Sequence, residues 1–242
     1  TQFIVFEYAS DTNDVGLRLR CEDAIAPLVA SPITANYPQC VLADAEPRED
    51  ESSSCWSTEL RLVPELFPIL RHAQFEDALN RNYADPINAI LRAIKPQSNS
   101  SCRIEIVVRR ASHRRCHAAL KAVRLLDRPF FHEHHWLAAF YARHITRRGT
   151  WPLAWLIGLF AVRSHRHSSS HALATSTSRT HEREADLQAA SDKLGGHLFE
   201  THIRLSVSGS QLSKQAAYER LMAMIGAFGV FTKSRLATFQ AR

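Results

Sequence analysis

Three histidines and one glutamate occupy four consecutive positions, His132, Glu133, His134 and His135. Imidazole and carboxylate groups bind zinc, iron and manganese, so a metal-dependent enzyme is one hypothesis for this chain. A zinc site takes three or four ligands, and no His-Glu-x-x-His or Glu-x-x-His pattern supplies the remaining ones. The aromatic neighbours of the cluster favour the alternative, in which the imidazoles form a packed or interfacial face. We therefore assign no metal ligand to these residues.

The motifs of nucleophilic catalysis and of phosphate-binding loops are absent from the sequence. It contains no Gly-x-Ser-x-Gly, and neither Gly195-Gly196 nor the stretch 209–214 fits Gly-x-x-x-x-Gly-Lys-Ser/Thr. The five cysteines are scattered without a Cys-x-x-Cys pair, which is typical of reduced, mostly buried thiols in a cytosolic protein. The sequence therefore predicts a non-catalytic chain, with no catalytic residue and no cofactor of its own.

A run of basic residues is the remaining candidate for a functional surface. Lys and Arg exceed Asp and Glu by 30 to 24, and the formal charge of +6 permits nucleic acid or an anionic membrane as a partner. Part of the excess lies along an amphipathic helix predicted at 113–127, on the side away from its apolar residues. Such a stripe either binds phosphates electrostatically, without sequence preference, or is an ordinary solvated helix face. The candidate phosphate contacts are Arg109, Arg110, Arg114, Lys121, Arg124 and Arg128.

The elements that must position these residues begin with a module of β-β-α-β order at residues 1–55. Alternating apolar side chains predict strands at 3–8 and 15–21, with turn residues between them. A helix over 22–36 follows, and its two prolines predict that it is short or broken. A strand near 40–43 completes the predicted module.

A second module is predicted at residues 56–150, and it opens with a half-buried strand at 56–62. A helical pattern then runs from Phe75 to Ile94. Within it Asp85 is a plausible N-cap and Pro86 stands at the first helical position, where a missing N–H costs nothing. The module continues with a strand at 102–108 and the basic amphipathic helix at 113–127.

An apolar segment and a polar linker are predicted at residues 151–180. The dozen apolar residues of 151–162 fall short of the roughly 20 that span a bilayer, which predicts a buried or interfacial helix. Arginines on both sides suit a segment that lies against an anionic membrane surface through 147–166, and a core helix with solvated ends is the alternative. The Ser-, Thr- and His-rich stretch 164–180 is predicted to be a flexible linker.

A last β-α module is predicted at residues 181–242. A charged helix, a clearly alternating strand at 199–207 and a second helix at 214–228 form it. The order of strand, Ser-containing turn and amphipathic helix occurs both at 102–127 and at 201–228. Repeated β-α units of this kind are typical of split βαβ folds. The predicted class is therefore α+β, with two or three ferredoxin-like β-α modules, an apolar helix and a flexible Ser/His-rich linker.

Several of these stretches resemble parts of a known family. The run Ala84–Ile94, followed by Cys102–Arg109, resembles an "Asp-Pro, apolar helix, then IQI-like strand" signature. That signature precedes the motor core of large ATPases of the FtsK/HerA and type IV secretion coupling-protein (TraG-like) class. The strand Leu198–Leu205 and the helix Ala217–Phe228 are similar to the elements just upstream of that core. The opening strand and Asn36-Tyr37-Pro38 also resemble amino-terminal elements of such proteins.

The resemblance implies a non-catalytic amino-terminal accessory region of a membrane-associated DNA-translocating ATPase used in conjugation or type IV secretion. ATP and Mg²⁺ are then expected only in a downstream motor domain, because the nucleotide-binding residues of the family lie beyond the matched stretches. The expected partners are that ATPase domain, further copies of the chain, DNA and an anionic membrane surface. The expected location is the cytoplasm, at the inner face of the membrane. A stand-alone nucleic-acid-binding module that uses the basic helix face is the alternative.

Overall fold

The computed structural model of the chain describes residues 2–10, 14–44, 54–70, 76–77, 82–83, 85–96, 100–128, 130–131, 134–145, 151–163, 177–233 and 236–242. The strands are β1 (Phe3–Ser10), β2 (Val15–Cys21), β3 (Cys55–Val63), β4 (Glu76–Asp77), β5 (Asn82–Tyr83), β6 (Ser101–Arg110), β7 (Phe199–Ser208) and β8 (Thr238–Ala241). The helices are α1 (Ala26–Asn36), α2 (Pro86–Ala93), α3 (His113–Leu126), α4 (His135–His144), α5 (Trp151–Arg163), α6 (Thr177–Gly195) and α7 (Lys214–Ala227), with a 3-10 helix at Phe228–Phe231. This mixture confirms the predicted α+β class.

One six-stranded antiparallel sheet, in the order β2-β1-β6-β7-β3-β8, organises the described part of the chain. Strands from the predicted modules 1–55, 56–150 and 181–242 all pair within it, while β4 and β5 pair separately with each other. The two helical connections of the sheet each join strands that have another strand between them. Helix α2 joins β3 to β6, which lie on either side of β7, and α7 joins β7 to β8, which lie on either side of β3.

The first hydrophobic core lies between one face of this sheet and the helices α2 and α7. Because side chains alternate between the two faces of a strand, every second residue of the central strands points into this core. Ile104 and Leu205 are fully buried there, opposite one another in the register of β6 and β7. The other buried members are Leu60, Ile90, Ile94, Cys102, Ile203, Val207, Met224 and Phe228.

A second hydrophobic core lies within a helical insertion, residues 111–198, that separates β6 from β7. The last residue of β6, Arg110, is paired with the first residue of β7, Phe199, so the insertion leaves and rejoins the sheet at one rung of the ladder. Its helices α3 to α6 pack around Phe131, Tyr141 and the small residues of α5. Lys193 of α6 ties the insertion to the segment after β3, because its Nζ donates to the carbonyl oxygens of Glu65 and Phe67 at 2.6 and 2.9 Å.

Helix α2 begins as the sequence predicts. The Asp85 carboxylate accepts a hydrogen bond from the Ile87 N–H at 2.9 Å, and Pro86 occupies the first turn. Asp85 itself is extended, with ψ near 111°, as sterics require of a residue before proline. The helix therefore cannot continue towards Phe75, and the helical pattern predicted from that residue is wrong where β4 and β5 pair.

Removing this cap gives a first testable prediction. Asp85→Ala is expected to lower the free energy of unfolding by about 1 kcal/mol, because an N–H in the first turn of α2 loses its acceptor. Urea denaturation of the wild-type protein, Asp85→Ala and Asp85→Asn measures the effect. Asparagine also caps well, so it should recover most of the loss, and equal destabilisation by alanine and asparagine would contradict the capping role.

Other boundaries also differ from the prediction. Residues 40–43 are not a strand: among the described residues no strand pairs with their backbone groups, and Val41 and Leu42 are exposed. Strand β8, which the sequence did not predict, pairs with β3 at the edge of the sheet. The predicted linker lies outside the described residues at 164–176, and its last four residues belong to α6.

Candidate interaction surfaces

The predicted basic stripe lies partly on the exposed side of α3. This helix begins at Ser112, whose hydroxyl accepts from the Arg115 N–H, and it buries Ala122, Val123 and Leu126 against the insertion core. The opposite side therefore faces solvent, as the amphipathic pattern predicts. Of the candidate phosphate contacts, Arg114, Lys121 and Arg124 are exposed on this side, Arg110 is exposed at the end of β6, and Arg128 is half-buried after the helix.

Arg109 is not free to act in the same way, because it is paired with Glu200. Its Nη2 lies 2.7 Å from Glu200 Oε2, and Arg115 Nη1 lies 2.8 Å from Glu200 Oε1. Burial acts to raise the pKa of Glu200, but the hydrogen bonds and charges of Arg115 and Arg109 outweigh it and hold that pKa below its ordinary value. The hydrogen bond with Glu200 raises the pKa of Arg115 in turn. The Glu200 carboxylate thereby links α3 to the end of the sheet.

The histidine cluster serves packing where it is described. His134 precedes α4, with its Nδ1 3.0 Å from the Phe130 carbonyl oxygen and its ring stacked on Phe130 at a centroid distance of 4.8 Å. His132 and Glu133 lie outside the described residues. Within the described ranges, no three His, Cys, Asp or Glu side chains are placed to hold a metal ion together. The described geometry therefore adds nothing in favour of the metal hypothesis.

Helix α5 is apolar on every side, but its large and small residues are segregated. The buried side consists of Ala154, Gly158 and Ala161. A Cβ built on Gly158 would lie 3.3 Å from Cε2 of Tyr141, so this helix lies very close to α4. Burial raises the pKa of Tyr141 to about 12, which reflects how dry this contact is.

The bulky residues of α5 point the other way and form what we call its outer face. Between 45% and 66% of each of these side chains is exposed. An exposed row of large apolar side chains on one helix is unusual for a protein that acts alone in water, and it indicates a contact surface. None of the helices in the described part of the chain has the length and apolar character that a membrane span requires. The outer face consists of Leu153, Trp155, Leu156, Leu159, Phe160 and Val162.

The sheet carries a second surface that sequence reasoning missed. We call the face opposite α2 and α7 the polar face, since its rows are rich in Arg and Glu. Glu7 of β1 is only 4% exposed there and lies directly opposite Glu105 of β6, an unfavourable pairing of like charges. Arg20 bridges both carboxylates, with Nη2 3.5 Å from Glu7 and 2.7 Å from Glu105. Arg18 and Arg103 also lie within 3.6 Å of Glu7.

The other half of the polar face is less balanced in charge. Arg204 of β7 lies between Glu59 of β3 and Glu105 of β6 in the register, and Arg61 lies opposite Gln240 of β8. Arg61 approaches Glu59 to 4.0 Å, whereas Arg204 has no carboxylate within that distance among the described residues. Arg143 of α4 donates to Gln240 Oε1 at 3.4 Å and so brings a further cation to this edge.

Comparison of the chain with family models, with curated proteins and with solved structures finds no match. The resemblance to TraG-like and FtsK/HerA-like ATPases therefore stays a prediction from the sequence. Within the described residues, three surfaces are candidates for contact with a partner: the basic stripe of α3, the outer face of α5 and the polar face of the sheet.

Proposed function

We propose that this chain is a non-catalytic accessory region that attaches a DNA-translocating ATPase of the conjugation and type IV secretion class to the inner face of the membrane. The observation that carries the attachment to a membrane is the outer face of α5, which presents bulky apolar side chains to solvent while small residues face the protein. The class of ATPase rests on the resemblance of the sequence. ATP and Mg²⁺ belong in this view to a downstream motor domain. That domain, further copies of the chain and DNA are the other proposed partners.

The connectivity of the sheet supports a scaffold role. We propose that β3, α2, β6, β7, α7 and β8 make up one ferredoxin-like module, because their order and interleaving are those of a split βαβ pair. The strands β1 and β2 extend this module at one edge. Lys193, through the carbonyl oxygens of Glu65 and Phe67, and Arg115, through Glu200, link the insertion that carries α5 to this module.

The length and composition of α5 suit an interfacial position. Thirteen helical residues extend about 20 Å, against about 30 Å for the hydrocarbon core of a bilayer. Full burial of a Leu or Phe side chain contributes about 1.5–3 kcal/mol, so each half-exposed residue of the outer face gains on the order of 1 kcal/mol in the bilayer interface. Arg147 and Arg148 precede the helix in sequence and Arg166 follows it, which favours an anionic surface.

Co-sedimentation with lipid vesicles tests this role. Wild-type protein should partition onto vesicles of phosphatidylcholine with 30% phosphatidylglycerol, and Leu156→Glu with Phe160→Glu should reduce the partition coefficient at least tenfold. The physical reason is that two charges would enter the interface in place of two apolar side chains. Vesicles without the anionic lipid should bind the wild-type protein more weakly, because the attraction of the arginines is lost.

A matched control makes the result specific to α5. Leu28 on α1 is 73% exposed and Tyr218 on α7 is 58% exposed, so Leu28→Glu with Tyr218→Glu adds the same charge at apolar surface positions elsewhere. This control variant should bind vesicles like the wild-type protein. The proposal fails if both double variants bind equally, or if the outer face mediates self-association in sedimentation velocity without any binding to lipid.

A further inference from the structure

The half of the polar face formed by β7, β3 and β8 holds two exposed arginines, Arg61 and Arg204, and neither has a carboxylate closer than 4.0 Å among the described residues. Arg204 lies on β7 opposite Glu59, and Arg61 lies on β3 two residues after Glu59, so both side chains are on this face and on adjacent strands. Arg242 follows β8 and donates its backbone N–H to the backbone carbonyl oxygen of Glu59, which places Arg242 beside Glu59 in the sheet. Arg143 of α4 donates to Gln240 at the same edge of the sheet. In the register Arg204 lies between Glu59 of β3 and Glu105 of β6, and Arg61 approaches Glu59 to 4.0 Å.

The two halves of the polar face differ in this respect. On β2, β1 and β6, the carboxylates of Glu7 and Glu105 each lie close to arginines, and the cations there are engaged with them. On the β7, β3 and β8 side, the second carboxylate of the region, Glu200, lies at the end of the sheet and is already shared by two arginines. Among the described residues, the arginines of the β7-β3-β8 side are therefore less closely paired with carboxylates than those of the β2-β1-β6 side.

From this arrangement we propose that the β7-β3-β8 side of the polar face binds the phosphate backbone of a nucleic acid. A guanidinium group presents a planar fork of donors that matches phosphate oxygens, and arginines on adjacent strands stand about 4.8 Å apart laterally. Several guanidinium groups on one flat face can therefore bind successive phosphates of one nucleic-acid strand. His202 and Gln240, in the row of Arg61, add further hydrogen-bonding groups.

The mode of recognition follows from the side chains that accompany these arginines. The register places Trp56, Phe199 and Phe239 on the opposite face of the sheet, with the core residues. The described strands therefore offer no Phe, Tyr or Trp on the polar face of this half for bases to stack on. Binding is accordingly to the backbone, without sequence preference, and it weakens steeply with salt. It does not depend on attachment to a membrane.

Fluorescence anisotropy with a labelled 25-base-pair duplex and the matching single strand tests this site on the full chain. Three double variants carry the same change of charge: Arg61→Glu with Arg204→Glu on the polar face, Arg114→Glu with Lys121→Glu on α3, and Arg92→Glu with Lys214→Glu on the helices of the opposite face. The polar-face variant should lose at least tenfold in affinity at 50 mM NaCl, and the slope of log K against log salt should fall by about two. The other two variants should lose no more than threefold.

A footprint on the wild-type protein gives an independent readout that does not rely on a folded variant. Phenylglyoxal modifies accessible arginines, and bound DNA should protect Arg61 and Arg204 while leaving Arg114 reactive. Preferential loss of affinity in the α3 variant, with protection of Arg114, would assign the site to the basic stripe instead. Equal losses in all three variants, or no binding by the wild-type protein, would also overturn the proposal.

Discussion

Replacing Gly158 with valine is expected to lower the free energy of unfolding by about 1–3 kcal/mol, because α5 and α4 meet there without room for a side chain. A Cβ at this position would lie 3.3 Å from Tyr141 Cε2 and 3.7 Å from both Leu125 Cδ1 and the Tyr141 hydroxyl. The branched side chain must push the two helices apart or force Tyr141 from its rotamer. Chemical denaturation monitored by circular dichroism measures the loss.

Gly226 provides the control for this substitution. It also lies inside a helix, α7, but it is exposed and a Cβ there would meet no atom within 4 Å. Gly226→Ala should therefore raise the free energy of unfolding by about 0.5–1 kcal/mol, since alanine restricts the unfolded chain and favours a helix. If valine at 158 stabilised the protein as well, the close packing of α5 on α4 would be refuted.

Lys193 should make the stability of the protein depend on pH in the alkaline range. Burial lowers the pKa of Lys193 to about 8, with the charge of Glu65 acting in the opposite direction. Between this value and the ordinary lysine pKa of about 10.4, the folded protein has released the proton and the unfolded chain still holds it. Because the unfolded state then binds more protons, the free energy of unfolding should rise with pH across this window.

Comparison with Lys193→Met isolates the effect from the titration of other groups. The difference in free energy of unfolding, wild type minus variant, should increase by on the order of 2–3 kcal/mol between pH 7.5 and pH 10.5. Urea denaturation at several pH values in this range provides the measurement. A difference that stays constant or decreases would show that the ammonium group is as stable inside the fold as in water. The two carbonyl acceptors would then outweigh burial.

The strands that line the first core were the most predictable part of the fold. In β6 and β7 apolar and polar residues alternate over most of the strand, and that period requires one buried and one polar face. Helices α3 and α7 were predictable for the same kind of reason, since Val123 and Met224 belong to rows of apolar residues at helical spacing. Local patterns carried these predictions without any knowledge of the neighbouring elements.

Elements whose existence depends on a distant partner were not predictable. Strand β8 has one large apolar residue, Phe239, and it becomes a strand because the edge of β3 offers it hydrogen bonds. Residues 40–43 also contain large apolar residues, but they pair with no strand among the described residues. The similarity of 102–127 to 201–228 also hides a difference: α7 covers the sheet, whereas α3 packs into the insertion core.

The surfaces were predictable to different degrees. The apolar character of α5 was visible in the sequence, but the orientation of Ala154 and Gly158 towards the protein and of Phe160 away from it depends on where α4 lies. The basic stripe was predicted from helical spacing, yet the pairing of Arg109 with Glu200 requires two strands that are 91 residues apart. The polar face depends in the same way on cross-strand register, which one sequence does not reveal.

The pairing of Arg110 with Phe199 marks the boundary between the sheet and the insertion 111–198. Because the insertion starts and ends on the same rung, a two-residue hairpin turn in place of 111–198 would join β6 to β7 and leave the register of every strand unchanged. The register of the sheet therefore sets no limit on the length of the segment inserted at this point. A shortened chain of this kind would keep the first core intact, and it would lose the contacts that Lys193, Arg115 and Arg143 make with the rest of the chain and the burial of Leu66 in the second core.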